Sequence, residues 1–537
     1  MRENAQLDSI LNRSAELSLS NGRFDTFGTT SEEKIINLLS NLPLMACLST
    51  IFQYAKNKDV EFGGFKVDNQ QKVTISLNSL VVTASYALSI QANKPHTIAW
   101  PDTDHINNAK ETVIACSLCY NDEANMGMAY SDDKENVLAN ALVPTKYNQA
   151  KFIVPPKFHI SRIYEWYCTP KASVPKELND FVNQTYGIPL SEIGHCIMLL
   201  WIVGELKNPF LQPSIFRNIT NWSGSSTEVF LRNFVTEIDQ YKRPWTQEPT
   251  CNDIQSGLPI LYRYPLVHLG QIENEEVYSI PVPKLLFTHM EDTFYWMCFD
   301  YFKNKENGRP DNTFTIWFGK AFEEYGIKLL RKIAKEKFFK DLRYLGNENK
   351  PSLDAAEILH ETATFFEFKN RRLTRQNCLK WNKTSEADMK EAGEKIVQQI
   401  VKFSASLKSN SNIWTPNIKK MSFIVVTPYH WHINTFIRNA GWFKTEMETI
   451  KSTLALKQTP ELLFLNIFDL EEWGNGNHTK GIPLNKYLKE YMKSSEYPYV
   501  DFANWITKAY PKLGDNPTID QSVEQLHEQI KSKYNFR

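Results

Sequence analysis

The chain has 537 residues, of which 42% are hydrophobic and 23% are charged, and its 61 basic residues balance its 61 acidic ones. This is the composition of an ordinary globular protein, and the length predicts two or three domains. No apolar run reaches the roughly 18 residues of a membrane-spanning helix, Met1–Gln6 have no apolar signal core, and eight cysteines over this length make no disulfide framework. We therefore expect a cytoplasmic protein that does not associate with membranes.

The N-terminal half shows elements of both kinds but no recognisable catalytic motif. Residues 32–55 have the pattern of a helix, Val73–Leu77 alternates as a strand does, and 80–90 fits either element. We expect a mixed α/β domain of unknown role over 1–155, followed by a mainly helical region over 156–305. This part recognises nucleic acid, senses a trigger or binds a partner protein, and the sequence does not choose among the three.

The polar segment 303–312, which contains glycine and proline, is the clearest domain boundary, and Val154–Lys157 is a weaker one. A predicted helix follows the first boundary, and its apolar residues form one stripe: Phe322, Tyr325, Leu329 and Ile333. Glu323 lies at the edge of this stripe, whereas Glu324 faces nearly away from it. A carboxylate at the edge of a buried face can lean into an adjacent site, although a solvated surface acid has the same pattern.

The next segment predicts a hairpin that brings two carboxylates and an amine together. Two short strands flank His360-Glu361, and a hairpin centred there places Asp354 opposite Glu367, with Cβ atoms roughly 5 Å apart. Lys369 lies on the same face as Glu367, because side chains alternate along a strand. His-Glu lacks the Gly or Asn that a tight turn prefers, so a longer loop with a shifted register is the alternative.

These groups are the ones that metal-dependent cleavage of a phosphodiester needs. Mg²⁺ usually takes one or two protein carboxylates and keeps several waters. Asp354 and Glu367 are therefore predicted to hold Mg²⁺, or Mn²⁺ in its place. Lys369 would hold or deprotonate the attacking water, or steady the pentavalent phosphate. The alternative is a salt-bridged surface hairpin that binds nothing.

Basic residues are concentrated on both sides of this hairpin. The segment 369–383 carries six Lys and Arg residues and no acidic one, and 328–343 is also rich in them. Because the whole chain has no net charge, such clusters indicate phosphate binding. We predict that Arg371, Arg372 and Arg375 hold substrate phosphates. A solvated helix face explains much of the 328–343 run equally well.

The segments after the hairpin continue an alternation of helices and strands. Residues 389–403 have a helical apolar stripe bordered by Gln399, and Met421–Thr427 and Leu462–Phe468 are apolar runs of strand length. We therefore predict an α/β chain, mixed α+β overall. Its last domain covers 313–537 and follows a largely helical N-terminal region.

The pattern Asp354–x12–Glu367–x–Lys369 resembles the core of the PD-(D/E)xK restriction-endonuclease-like nucleases. Ser352-Leu353 stands where that family has its proline, and the resemblance covers roughly 315–537. It implies a central mixed sheet flanked by helices and Mg²⁺-dependent cleavage of nucleic acid.

The resemblance further implies that Glu323 serves as an auxiliary acid and that Gln399 supports the site from the following helix. It makes DNA the preferred substrate over RNA, and restriction or anti-phage defence the expected system. The partner of such an endonuclease would be an ATPase or helicase subunit or a second copy of the chain. The alternatives are a non-catalytic nucleic-acid-binding or scaffold subunit that keeps the nuclease fold, and an RNA-cleaving toxin.

Overall fold

Helices and strands alternate through the parts of the chain that the computed structural model describes. These parts are 31–56, 65–66, 72–73, 77–93, 98–129, 154–206, 209–242, 259–303, 311–334, 337–340, 353–372, 383–407, 417–428, 441–480, 484–494, 502–510 and 516–534. They contain helices together with one sheet of four strands and one of five, and both of these sheets are mixed. The predicted mixed α/β fold class is therefore confirmed.

The chain divides into two compact units. Unit 1 comprises Met1–Ile163, Pro175–Pro310 and Leu526–Arg537, and unit 2 comprises Tyr164–Val174 and Asp311–Gln525. The division between Pro310 and Asp311 falls inside the polar segment 303–312. The weaker expected boundary, 154–157, has unit 1 on both sides.

Unit 1 is mainly helical. Its α-helices are α1 (Ser31–Leu39), α2 (Leu44–Lys56), α3 (Leu77–Ala92), α4 (Thr103–Ala129), α5 (Pro156–Ile163), α6 (Lys176–Tyr186), α7 (Leu190–Leu206), α8 (Pro213–Thr220), α9 (Gly224–Leu231), α10 (Leu285–Thr288) and α11 (Phe294–Lys303). Two 3₁₀ turns (Ile238–Lys242 and Ile260–Tyr262) and one π-helical turn (His289–Thr293) interrupt them. The segment 80–90, which fitted either element in the sequence, is part of a helix.

The strands of unit 1 are short. They are β1 (Phe65–Lys66), β2 (Lys72–Val73), β3 (Phe210–Leu211), β4 (Val235–Glu237), β5 (Leu266–Ile272) and β6 (Glu275–Ser279). The last four form the sheet β3-β6-β5-β4, in which β4 and β5 are parallel. The predicted strand Val73–Leu77 is wrong at its end, because Leu77 begins α3, which is buried almost all round.

One described stretch of unit 1, Lys176–Glu205, is long and apolar enough to cross a membrane by length and composition. Its α6 and α7 are separated at Gly187, whose φ of 72° ends α6, and 67% of the most apolar window is buried inside the structure. The pair Glu33–Leu39 and Leu44–Lys56 passes the same test together but is bent by 110°. Buried core helices also pass it, so this is weak support for a membrane span.

Unit 2 contains a five-stranded sheet with helices on both faces. Its helices are α12 (Thr313–Ile333), α13 (Lys383–Leu407), α14 (Gly441–Leu454), α15 (Ile467–Lys480), α16 (Leu484–Lys493), α17 (Phe502–Ala509) and most of α18 (Pro517–Lys533), with a π-helical turn at Tyr164–Cys168. Its strands are β7 (Lys337–Lys340), β8 (Ala355–Leu359), β9 (Thr362–Phe368), β10 (Lys420–Thr427) and β11 (Glu461–Asn466), in the order β11-β10-β9-β8-β7.

Strand direction changes in the middle of this sheet. Strand β10 runs parallel to both β9 and β11, whereas β7, β8 and β9 form an antiparallel meander. Phe368 packs on Phe322 of α12, and Phe365 packs on Phe403 of α13, with ring centroids 6.0 and 5.1 Å apart. Because residues three apart on a strand face opposite ways, these two helices cover opposite faces of β9.

The predicted strand 462–468 ends two residues early, at Asn466. There the side chains of Asn466 and Asp469 each accept the other residue's backbone N–H at 2.8 Å. This reciprocal cap resembles a capping box, satisfies two free N–H groups at the helix start and stabilises α15 directly after β11.

Candidate active site

The predicted hairpin has the expected register. Strand β8 pairs with β9 from Ala355 opposite Phe366 to Leu359 opposite Thr362, around the two-residue turn His360-Glu361. The longer loop considered as an alternative is therefore wrong. His360 has a φ of 53°, so the turn accepts a residue with a Cβ in the left-handed region, at a cost.

Asp354 and Glu367 are the next residues beyond the last pair of this ladder, Ala355 and Phe366. Asp354 donates its N–H to the carbonyl of Phe366 at 3.0 Å, and its Oδ2 accepts the N–H of Phe368 at 2.7 Å. Phe368 thus fixes the Asp354 carboxyl from the backbone of the strand that carries Glu367. The two predicted metal ligands lie at the same end of the same pair of strands.

Glu367 and Lys369 share the face of β9 that α13 covers. Gln399 of α13 donates to Glu367 Oε1 at 2.9 Å, and Lys369 Nζ forms an ion pair with the same oxygen. The Lys369 side chain is one-third exposed, whereas that of Glu367 is 5% exposed. Gln399 therefore lies where the sequence placed a supporting residue, in direct contact with a predicted ligand.

The second carboxylate oxygen of Glu367 has a different environment. Oε2 is buried and has no hydrogen-bond partner among the described residues. A buried carboxylate oxygen that is left unpaired costs free energy, on the order of 1–3 kcal/mol or more. A bound cation would supply the missing interaction.

Burial raises the pKa of both carboxyl groups. Burial and the neighbouring charges of Glu367 and Glu323 raise the pKa of Asp354 to about 8. Burial also raises the pKa of Glu367, although Lys369 and Gln399 act in the opposite direction. Two neighbouring carboxyls, one buried and one partly buried, resist ionising together, so a divalent cation between them would be favoured.

The described residues contain no group of three or more His, Cys, Asp and Glu side chains arranged to hold a metal ion. A cation here would therefore have Asp354 and Glu367 as its protein ligands, with water completing its shell. This is the type of ligand set that Mg²⁺ usually has. The unpaired Glu367 Oε2 and the raised pKa values fit such an ion.

Glu323 lies close enough to act on this site. Its charge is one of the causes that raise the pKa of Asp354, and its side chain is partly buried on α12. The neighbouring Glu324 instead accepts the backbone N–H of Ala172 at 3.1 Å. Both glutamates of α12 are partly buried, but they act on different parts of unit 2.

The three predicted phosphate-binding arginines have different placements. Arg371 is exposed. Arg372 is only 9% exposed and its guanidinium lies 5.1 Å from the Phe318 ring centroid, a stacked position that suits packing better than contact with a substrate phosphate. Arg375 lies outside the described residues.

The basic run 328–343 is likewise divided. Lys328 forms an ion pair with Glu165, so it serves packing within unit 2. Arg331 and Lys332 are exposed in the last turn of α12.

Two features of unit 2 were not singled out in the sequence. Tyr325 donates to Glu471 Oε1 of α15 at 2.7 Å, and both side chains are buried. Gly326 lies against the Phe368 ring so closely that a Cβ there would be 1.9 Å from Phe368 Cε1. The apolar stripe marked Tyr325 as buried but gave no sign of its partner, which is 146 residues away.

A buried charged cluster in unit 1 was also missed. His159 Nδ1 lies 2.8 Å from Glu291 Oε1, and Arg162 lies 3.3 Å from both oxygens of that carboxylate. Glu291 belongs to the π-helical turn, and the cluster joins it to α5. Its members are too far apart in sequence for any spacing to reveal them.

The site is thus one hairpin end with two acids, one amine and one amide, supported by α12 and α13. No protein-family model, no curated protein and no solved structure matches this chain.

Proposed function

We propose that this protein is a Mg²⁺-dependent endonuclease that hydrolyses phosphodiester bonds of nucleic acid, with its active site at the β8–β9 hairpin. The observation that carries the proposal is Glu367. It is buried between Lys369 and Gln399, stands beside a second, partly buried acid, and has one oxygen without a partner among the described residues. A purely structural salt bridge on a surface hairpin would have no reason to bury Glu367 beside a second, partly buried acid.

Asp354 and Glu367 are the residues that would hold the cation. When bound, Mg²⁺ would neutralise charge on the phosphoryl oxygens and make a coordinated water more acidic. Gln399 holds Glu367 Oε1 in place, which leaves Oε2 for the ion. The N–H of Phe368 orients the Asp354 carboxyl in the same way.

Lys369 is the group that can reach both the site and the substrate. Its ammonium contacts Glu367 while a third of its side chain is exposed. From there it can donate a hydrogen bond to the attacking water or to a phosphate oxygen as negative charge develops. Glu323 adds negative charge near Asp354 and would serve as the auxiliary acid.

The substrate and setting come from the family resemblance. We propose DNA as the preferred substrate, and Mn²⁺ could act in place of Mg²⁺. Restriction or anti-phage defence in the cytoplasm, with an ATPase or helicase subunit or a second copy of the chain as partner, is the corresponding biological proposal. It rests on association at the level of the family rather than on geometry.

Cleavage of supercoiled plasmid tests the proposal directly. Wild-type protein should nick or linearise DNA with Mg²⁺ or Mn²⁺ and not with EDTA, and Lys369→Ala should lower the rate by about 100-fold or more. Lys395→Ala is a matched control, because Lys395 lies on the exposed surface of α13 and forms its ion pair with Glu391, an exposed residue one turn away, and such exposed pairs contribute little. Full metal-dependent activity in Lys369→Ala would refute the mechanism.

Parallel digests separate the remaining alternatives. Cleavage of RNA but not DNA under the same metal conditions would identify an RNA-cutting enzyme with the same residues. Binding of nucleic acid without any cleavage would favour the non-catalytic subunit.

A further inference from the structure

We propose that the buried Tyr325–Glu471 hydrogen bond positions the active-site hairpin through Gly326 and Phe368. This inference rests on the proposed function for its catalytic meaning. It assigns a positioning role to two residues, neither of which touches the substrate or the cation. The contacts between them and Asp354 form one continuous path within unit 2.

The first contact in this path fixes α12. The hydroxyl of Tyr325 donates to Glu471 Oε1 at 2.7 Å, and the two side chains are 1% and 0% exposed. A hydrogen bond to a carboxylate is stronger than one between neutral groups, and burial strengthens it further. It therefore ties α12 to α15 at one defined point in the core.

The second contact passes from α12 to the strand. Gly326 follows Tyr325, and a Cβ placed on it would come within 1.9 Å of Phe368 Cε1. The helix backbone thus presses directly on the ring of Phe368, with no side chain between them to absorb a shift. Movement of α12 at Tyr325 would be transmitted to Phe368 because close-packed interiors pass on displacement.

The third contact reaches the catalytic carboxyl. The N–H of Phe368 donates to Asp354 Oδ2 at 2.7 Å, and the neighbouring residue in β9 is Glu367. Displacing Phe368 would therefore turn Asp354 away from Glu367. A shift of about 1 Å at reacting groups can cost about 100-fold in rate.

Tyr325→Phe removes the hydroxyl and keeps the ring. Tyr487→Phe is a matched control, because Tyr487 is fully buried in the same unit and its hydroxyl has no hydrogen-bond partner among the described residues. Glu471→Gln is a milder variant that keeps an oxygen able to accept from Tyr325. It provides a second test if Tyr325→Phe does not fold.

Hydrogen exchange of the Phe368 amide is the main measurement, because it reports position without relying on catalysis. Exchange should be about tenfold faster in Tyr325→Phe and about threefold faster in Glu471→Gln. It should be unchanged in Tyr487→Phe, and the amides between β10 and β11 should exchange at wild-type rates in all three. Unchanged Phe368 exchange in folded Tyr325→Phe or Glu471→Gln would overturn the inference.

Cleavage kinetics then test whether the position of Phe368 affects catalysis. The kcat for plasmid cleavage should fall about tenfold in Tyr325→Phe while KM changes less than about twofold, because substrate contacts are not altered. An unaltered kcat together with faster Phe368 exchange would also refute the catalytic part. An inactive wild type would instead refute the proposed function, and the exchange result would still decide whether Tyr325 positions the hairpin.

Discussion

Glu367 shows how one side chain can be prepared for a ligand by its neighbours. Lys369 forms an ion pair with Oε1 and Gln399 donates a hydrogen bond to the same atom, so the two carboxylate oxygens are not equivalent. The unpaired oxygen is buried, and only another charged or polar group can offset the free-energy cost of its burial. Asp354 is oriented by the backbone N–H of Phe368. In the proposed mechanism its carboxyl would lose its proton when the cation binds.

The first prediction concerns the pH dependence of stability. Because burial raises the pKa of Asp354 to about 8 in the folded protein, the folded state holds this proton more tightly than the unfolded state does. The stabilising effect of that proton is complete below the ordinary carboxyl pKa and is lost as the pH rises toward 8. In EDTA, Asp354→Asn should therefore raise Tm relative to wild type, and the gain should grow between pH 5 and pH 8.

Thermal unfolding by circular dichroism at several pH values measures this effect. Asp388→Asn, an exposed substitution on α13, should leave the difference from wild type constant across the same range. Added Mg²⁺ should raise the Tm of wild type at pH 8 but not that of Asp354→Asn. A pH-independent Tm difference for Asp354→Asn would contradict a raised pKa of Asp354 in the folded protein.

The second prediction concerns the turn of the hairpin. His360 has a φ of 53°, which costs a residue with a Cβ about 1 kcal/mol. Glycine removes this strain but loses more conformational freedom on folding, so His360→Gly should stabilise the protein by about 0.5 kcal/mol in urea denaturation. Glu361→Gly is the matched control, since Glu361 is not among the described residues with positive φ, and it should destabilise by about 0.5–1 kcal/mol. Equal effects at both positions would show that the turn has a different conformation.

At the scale of elements, the spacing of apolar residues and the pairing of adjacent strands made much of unit 2 predictable from the sequence. Alternation along β9 separated Glu367 from Phe368, and centring the turn on His360-Glu361 gave the observed register. The stripe of α12 predicted its buried residues Phe322, Tyr325 and Leu329. Each of these depends on neighbours in sequence, where the spacing of side chains is fixed by the backbone.

Long-range contacts were not predictable in the same way. Nothing near Tyr325 indicates that its partner is Glu471, and nothing near Arg372 indicates that it stacks on Phe318. The boundary between β11 and α15 was missed because the cap formed by Asn466 and Asp469 outweighed the strand-like run that continues to Phe468.

The third prediction tests how closely α12 packs on the sheet. Gly326→Ala would place a Cβ 1.9 Å from Phe368 Cε1, so the ring or the helix must move. We expect a loss of about 1–3 kcal/mol in the free energy of unfolding, together with loss of cleavage. Gly319→Ala in the same helix is the matched control, because no atom lies within 4 Å of its added Cβ.

Gly319→Ala should instead stabilise by about 0.5–1 kcal/mol, through the better helix propensity of alanine. Urea denaturation of both variants gives the comparison. If Gly326→Ala is as stable as Gly319→Ala, then α12 does not press on Phe368, and the path from Tyr325 to Asp354 is broken.

At the scale of the whole molecule, attraction to nucleic acid depends on where charged residues lie rather than on the net charge. The chain has no net charge, so a general attraction to nucleic acid is not available to it. Unit 2 buries several of its ionisable groups, among them Glu367 and Glu471. Exposed basic residues near the site are then the groups that can attract a phosphate backbone.

The last prediction follows from this distribution. Arg331 and Lys332 are exposed in the final turn of α12, the helix that also carries Glu323. Reversing both charges, in Arg331→Glu/Lys332→Glu, should weaken DNA binding by about tenfold or more at low salt and reduce the slope of affinity against salt concentration. Fluorescence anisotropy with labelled duplex DNA, in Ca²⁺ to prevent cleavage, measures both quantities.

Lys486→Glu/Lys493→Glu provides the control, because both lysines are exposed on α16 of the same unit and the change in net charge is identical. Equal losses of affinity in the two double variants would mean that the affinity for DNA depends on the total charge of the protein alone. A loss confined to α12 would place the path of the nucleic acid along the helix that leads to Glu323 and the hairpin.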